Sequence, residues 1–190
     1  MKIILDYCVS SLLYSLIAVP FVLIVRRKAY RNCNTKKETA IMLFFMCVTM
    51  IVFQTVIPTA FKTGDFSLSA FHAPDFTSWK AFPRLMTGWL IWKINLKDYA
   101  DIAVNIAGNL LIFMPIGFLA PYIWRRLDAK CVLIGFLLSC FVEAVQLFTD
   151  RNSDYNDIIL NTLGTVSGYL LYCTVHILIR NAKKDDMKDA

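Results

Sequence analysis

Long apolar runs limit what this chain can become more than any motif does. Residues 3–25 read IILDYCVSSLLYSLIAVPFVLIV and stop at Arg26, Arg27 and Lys28. Comparable runs cover residues 39–58, 103–123, 131–148 and 158–179. At about 1.5 Å per residue, each roughly matches a hydrocarbon core about 30 Å thick. A backbone in lipid must satisfy its own hydrogen bonds, so such runs become helices. None alternates strictly between apolar and polar, which argues against a barrel. Hydrophobic residues make up 57% of the 190 and charged residues only 18%, where a soluble domain carries about a quarter charged. The expected fold is therefore all-α: a polytopic membrane protein of about five transmembrane helices, forming one integral domain over residues 1–190. The first run sits where a signal peptide would, but its positive residues follow the apolar stretch and no small-x-small cleavage site precedes them. It reads as a retained helix.

The basic residues set an orientation. The formal charge is +6, from 20 Lys and Arg against 14 Asp and Glu. Thirteen of the 20 fall in the loop after the first run, the loop after the third, and the tail from Arg180. The positive-inside rule then puts the N-terminus outside and the C-terminus in the cytoplasm. The basic excess is thus a matter of topology. No aromatic-basic sheet motif or zinc-finger spacing supports nucleic-acid binding. The six cysteines include no CxxC pair, and the two histidines, His72 and His176, complete no metal-ligand run. No metal site or cofactor is expected from these residues. The expected outer loops hold no cysteine, so structural disulfides are not expected either. The longest outer segment, residues 59–102, carries AFPRLMTGWLIWKINL with Trp89 and Trp92. Its apolar stretches are too short to span, which leaves open an interfacial or re-entrant helix and an ordinary folded loop.

Polar residues gather at the expected outer level of the last three helices. Asn105 and Asn109 are four apart and share a helix face, as do Glu143 and Gln146, three apart. Then follow Arg151, Asp154, Asp157 and Asn161, with Gly164 and Gly168 spaced for close helix contact. Pro115 and Gly117 lie deeper on the third run, where the proline removes a backbone hydrogen bond and can bend the helix. Singly, each residue has an ordinary explanation. The asparagines can serve as interhelical glue, Glu143 and Arg151 as a buried ion pair, and Asp157 as a first-turn acid beside the positive end of a helix. Asp154 can be a solvated loop residue, and the glycines and Pro115 can serve packing alone. Together they form an acidic, amide-rich end that suits a cationic or strongly hydrogen-bonding ligand.

The combination N-x3-N-x5-P-x-G, E-x2-Q and R-x2-D-x2-D-x3-N-x2-G-x3-G, spread over residues 100–172, resembles the VanZ-like family of bacterial membrane proteins. The resemblance implies a multi-pass protein of the bacterial plasma membrane and maps the family's motif onto the polar set above. The founding member is linked to low-level resistance to the glycopeptide teicoplanin, and most relatives lie outside resistance clusters.

Three functions compete. The first is an envelope protein without catalysis that binds a lipid headgroup, a lipid-linked cell-wall precursor or a glycopeptide antibiotic through Asn105, Asn109, Glu143, Gln146, Arg151, Asp154, Asp157 and Asn161. The second is an intramembrane enzyme acting on a lipid-linked substrate at the outer leaflet. Glu143, Asp154 and Asp157 are its candidate catalytic groups, since paired acids can divide general acid and base roles. It lacks an obvious Ser, Cys or His nucleophile set. The same three carboxylates could hold a divalent cation such as Mg²⁺, a weak signal. The third, a small transporter, finds no inverted repeat in the sequence. Membrane lipids are partners in every case.

Overall fold

The computed structural model describes residues 9, 13–32, 35–55, 73–74, 96–125, 128–149 and 153–186. The principal helices among them are α1 (Ala18–Asn32), α2 (Thr35–Thr55), α3 (Leu96–Ile123), α4 (Cys131–Gln146) and α5 (Tyr155–Asp186), with a short 3-10 turn at Asp128–Lys130 before α4. A single helical turn at residues 13–16 leads into α1. No strand occurs among the described residues.

α2 to α5 lie over the second to fifth apolar runs and α1 over residues 18–25 of the first, and the helix ends differ from the runs for physical reasons. α3 starts at Leu96 and α5 continues to Asp186, because polar residues prolong a helix beyond the stretch that lipid would require to be apolar. α4 stops at Gln146, and Leu147 and Phe148 turn away, donating their N–H groups to Glu143 O and Val145 O at 3.1 and 3.0 Å. Pro115 and Pro121 both lie inside α3, which runs through them as one helix. The outer segment 59–102, with His72, Trp89 and Trp92, lies outside the described residues apart from Ala73, Pro74 and the start of α3.

Among the described residues, length and composition make two helices able to cross a membrane, Val104–Ile123 and Tyr155–Ala182. α4 has 16 residues, about 24 Å at 1.5 Å per residue, and is short by that measure. The surface is oily: Phe21, Ile24, Leu111, Leu137 and Leu178 are 64%, 76%, 62%, 56% and 63% exposed. Such faces on several helices at once match a lipid solvent better than water.

Contacts between the helices fix their directions. Tyr14 stacks on Phe53 at 5.3 Å, and Phe44 meets Trp124 edge-on at 5.2 Å. The start of the chain therefore lies beside the end of α2, and the first half of α2 beside the end of α3. Ser139 meets Asn161 across α4 and α5, while Met114 and Leu110 of α3 meet Gly168 and Gly164 of α5. Consecutive helices alternate in direction, so α3 and α5 run parallel. Val22, Ile41, Phe44, Ile51, Phe113, Ile116 and Val142 fill the core between them.

The α3–α5 contact is backbone on backbone. A methyl group at Gly164 would strike Leu110 O, one at Gly168 would strike Met114 O, and one at Gly117 would strike Thr165 O. Gly135 on α4 makes room for the Thr165 side chain in the same way. Thr165 is fully buried and joins three helices, its hydroxyl donating back to Asn161 O at 3.0 Å. Small residues permit this approach, which gains dispersion over a long line of atoms.

At the opposite end from the acidic cluster, the Arg26 guanidinium grips Glu38 with two bonds, Nε to Oε2 at 2.6 Å and Nη2 to Oε1 at 2.7 Å. The fork ties α1 to α2 where the hairpin turns. Arg26 holds the Glu38 carboxyl below its ordinary carboxylate pKa. A lowered folded-state pKa means that this stability is complete above the ordinary carboxylate pKa and disappears as pH falls through the lowered value.

Two outcomes follow from this packing. Gly168→Ala and Gly117→Ala should each cost about 1–3 kcal/mol by overpacking, lowering the thermal midpoint in detergent. Gly108→Ala, where nothing lies within 4 Å, should cost nothing measurable. Separately, Glu38→Gln should cost about 1–2 kcal/mol at neutral pH, allowing for the partial exposure of Arg26. The difference from wild type should shrink in acid, as measured by melting across a pH series.

Candidate functional site

The site is built on one face of α4. Ser139, Glu143 and Gln146 recur at i, i+4 and i+7 and so line up. Their exposures are 0%, 2% and 5%, so a polar stripe is sealed inside an otherwise apolar helix.

Each member reaches a different neighbour. Gln146 Nε2 donates to Thr55 O at 2.9 Å, meeting a carbonyl that the end of α2 leaves without an intrahelical partner. Ser139 Oγ accepts from Asn161 Nδ2 at 2.9 Å, joining α4 to α5. Glu143 Oε2 accepts the backbone N–H of Asp154 at 2.8 Å, and its carboxylate also accepts from the Ser153 hydroxyl. Glu143 thus holds the entry to α5 in place.

The first turn of α5 divides its two acids between roles. Asp154 is the N-cap: its Oδ1 accepts the Asn156 backbone N–H at 2.9 Å and the Asn156 side-chain amide at 2.8 Å. Asp154 is therefore a half-buried cap rather than a solvated loop residue, and Asp157 occupies the first turn. Asp157 Oδ1 accepts from Asn109 Nδ2 at 2.8 Å, and the other hydrogen of that amide goes to Asn105 Oδ1 at 3.1 Å. Asn109 therefore bridges α3 to α5. Asn105 is exposed and supports this bridge from outside.

Of the eight proposed ligand residues, the structure thus joins Asn105, Asn109 and Asp157 in one chain of hydrogen bonds and Glu143 with Asp154 in another. Gln146 lies one turn beyond Glu143 on α4, and Asn161 of α5 meets α4 at Ser139, one turn before it. Arg151, expected as the partner of Glu143, lies outside the described residues. Gly117, Gly164 and Gly168 form the α3–α5 contact described above. Ser139, Ser153, Gly135 and the Thr55 carbonyl were not anticipated from sequence. Ser139 was within reach, since it stands four residues before Glu143. The Thr55 carbonyl leaves no trace in residue identity.

The electrostatics are one-sided. The charged groups acting on Glu143 among the described residues are Asp157 and Asp154, both acidic. Gln146 Oε1 and Asn161 Oδ1 are buried without a hydrogen-bond donor among the described residues. The site is therefore rich in acceptors and suited to donors or positive charge. No group of three or more His, Cys, Asp or Glu among the described residues is arranged to hold a metal ion. Asp154 is committed to its cap, which draws it away from such a role.

An all-α chain with an oily surface, two helices fit to cross a bilayer and a polar cluster sealed at one end belongs to the class of helical membrane proteins. The VanZ/LLP1 family profile matches residues 12–178. The chain belongs to that family, and the match extends the resemblance from the last three helices to the first two. No curated protein and no solved structure matches it.

The paired amides provide a test of this geometry. Ser139→Ala should leave the Asn161 amide buried without its acceptor and cost about 1–3 kcal/mol. Combined with Asn161→Ala, the double-mutant cycle should show a coupling of at least about 0.5 kcal/mol. Asn109 and Asp157 should couple in the same way, read by detergent melting of the single and double variants.

Proposed function

We propose that this protein is a VanZ-like component of the bacterial envelope that crosses the plasma membrane five times and presents an acidic, amide-rich site to the outer side. The site binds a lipid headgroup, a lipid-linked cell-wall precursor or a glycopeptide antibiotic. The observation that carries this reading is the sealed acceptor stripe on α4. A buried carboxylate and two buried amide oxygens without donors among the described residues are costly to maintain for packing alone. Their position at the end of the bundle away from most basic residues supports an outward opening. The alternating helix directions support five crossings. α4 falls short of the usual span, and the loop after Gln146 extends its reach toward the outer surface.

The binding reading is favoured over the enzyme. The one serine on the stripe, Ser139, is engaged as the acceptor of the Asn161 amide. The carboxylates serve as acceptors for backbone and amide groups.

Topology is tested with single cysteines at Asn152 and Lys184 in a cysteine-free background. An impermeant thiol reagent applied to intact cells should label position 152 and spare 184. The reverse pattern would invert the arrangement, and labelling at both would remove a crossing. The site is tested with Glu143→Gln and Asp157→Asn, which keep size and most hydrogen bonding. Both proteins should accumulate in the membrane at wild-type abundance, while complementation of the deletion phenotype falls at least about tenfold, the loss of roughly 1.4 kcal/mol of ligand binding. Full complementation by both would show that the charges are not needed. Parallel loss of abundance and activity would return the acids to a structural role.

A further inference from the structure

We infer that the connection between α3 and α4 turns back inside the membrane rather than at its surface, and that Asp128 and Lys130 line a water-filled crevice open at the basic end of the bundle. The inference goes beyond the binding reading and shares with it only the premise that the helices cross the bilayer. Levels along the helices carry it. α3 and α5 run parallel, with Leu110 against Gly164, Met114 against Gly168 and Gly117 against Thr165 and Tyr169. From Gly117, α3 continues six residues to Ile123, about 9 Å. α5 continues further past Tyr169. Its Ile177, Leu178 and Ile179 are 56%, 63% and 53% exposed, so lipid must surround α5 as far as Ile179. That limit is ten residues, about 15 Å, beyond Tyr169. α4 does not begin at that limit. Its first residue, Cys131, donates its thiol to Gly117 O at 3.9 Å, and the Tyr169 hydroxyl donates to Asp128 Oδ1 at 2.6 Å. Two separate contacts therefore hold the 3-10 turn Asp128–Lys130 at the level of Gly117 and Tyr169, well inside the apolar limit of α5.

Asp128, Ala129 and Lys130 are all exposed at this depth. Exposure means that they meet the surrounding medium whatever other partners they have. Charged side chains meet hydrocarbon at high cost. Irregular backbone at membrane depth is tolerated where protein buries it or where it lines water, and this turn is not buried. A lysine can reach a distant headgroup along its own apolar stem, whereas an aspartate tied to Tyr169 cannot. The medium at the turn is therefore water. The walls of the crevice are the ends of α3 and α5, which pass the turn on their way to the basic surface. Along α5 its floor stands twelve residues, about 18 Å, from Asp157. The sealed part of the bundle is thus thinner than the bilayer around it.

Single cysteines in the full-length, cysteine-free chain test this in inside-out membrane vesicles. Ala129→Cys reports the crevice, and Lys130→Cys is a second reporter should the first disturb the turn. Leu170→Cys, 58% exposed and at the same level of α5, reports lipid. Lys184→Cys reports the open surface. Each is treated with a small cationic methanethiosulfonate and with a bulky polyethylene glycol maleimide. The reacting form is the thiolate, which needs water, so positions 129 and 130 should react with the small reagent within about tenfold of the rate at 184. They should resist the bulky reagent, which 184 accepts, and position 170 should resist both. Silence at 129 and 130 toward the small reagent, while 184 reacts, overturns the crevice. Reaction of either with the bulky reagent at the rate of 184 also overturns it, since the turn would then lie at the membrane surface. Equal reaction at 170 and 129 overturns it too, because lipid would then not reach that level of α5. Reaction of 129, 130 and 184 in intact cells but not in inside-out vesicles, with the same selectivity for size, upholds the crevice and reverses the orientation proposed above.

Discussion

The direct backbone contact between α3 and α5 is the constraint on which the rest of the bundle depends. Helices that touch through side chains stand apart far enough to tolerate small changes. Here Gly164, Gly168 and Gly117 bring main chain against main chain, so the register of α5 on α3 is set within a fraction of a residue. That register is what lets Asn109 of α3 meet Asp157 of α5 across the outer end. Thr165, seated in the notch left by Gly135, extends the same precision to α4 and aligns Ser139 with Asn161. The polar site is in this sense a product of glycine placement, although no glycine takes part in it.

The two ends of the molecule solve the problem of buried charge differently. Glu38 is paired with a guanidinium through a two-pronged contact at the α1–α2 turn, which is the ordinary way to keep a carboxylate out of water. Glu143, equally enclosed, is met by a backbone amide and a hydroxyl, with more acid beside it. Among the described residues, one carboxylate is met by a cation and the other by neutral donors. The first ties α1 to α2, and the second holds the entry to α5 against α4.

Much of this was legible in the sequence, because the medium reduces the alternatives. An apolar run of twenty residues has few choices other than a helix, and the described parts of the five runs are largely helical. The spacings of Asn105 with Asn109 and of Glu143 with Gln146 correctly identified shared faces. α3 begins before its apolar run and α5 extends past both ends of its own, because hydropathy follows the surrounding medium rather than the hydrogen-bond ladder; the apolar spans within them, Val104–Ile123 and Tyr155–Ala182, lie close to the runs read from sequence. Asp154's place as the cap was hidden because capping depends on where the first turn begins, which a three-residue spacing cannot fix, whereas Asp157 stands in the first turn as expected. Thr55 was out of reach for a deeper reason: the group that Gln146 engages is a main-chain carbonyl, common to every residue.

The length of α4 has a consequence for the bilayer itself. In the five-crossing arrangement, a helix of about 24 Å faces hydrocarbon about 30 Å thick. Its longer neighbours α3 and α5 can tilt to fit, whereas α4 cannot stretch. The exposed faces of Leu133, Leu137 and Phe141 then border a patch where acyl chains must compress or splay, at a fraction of a kcal/mol for each Å of mismatch. The dimple forms at one side of the bundle and draws headgroups toward the end of α4. In that arrangement the protein would shape the membrane next to its own sealed polar cluster, and short or disordered lipid chains would suit it best.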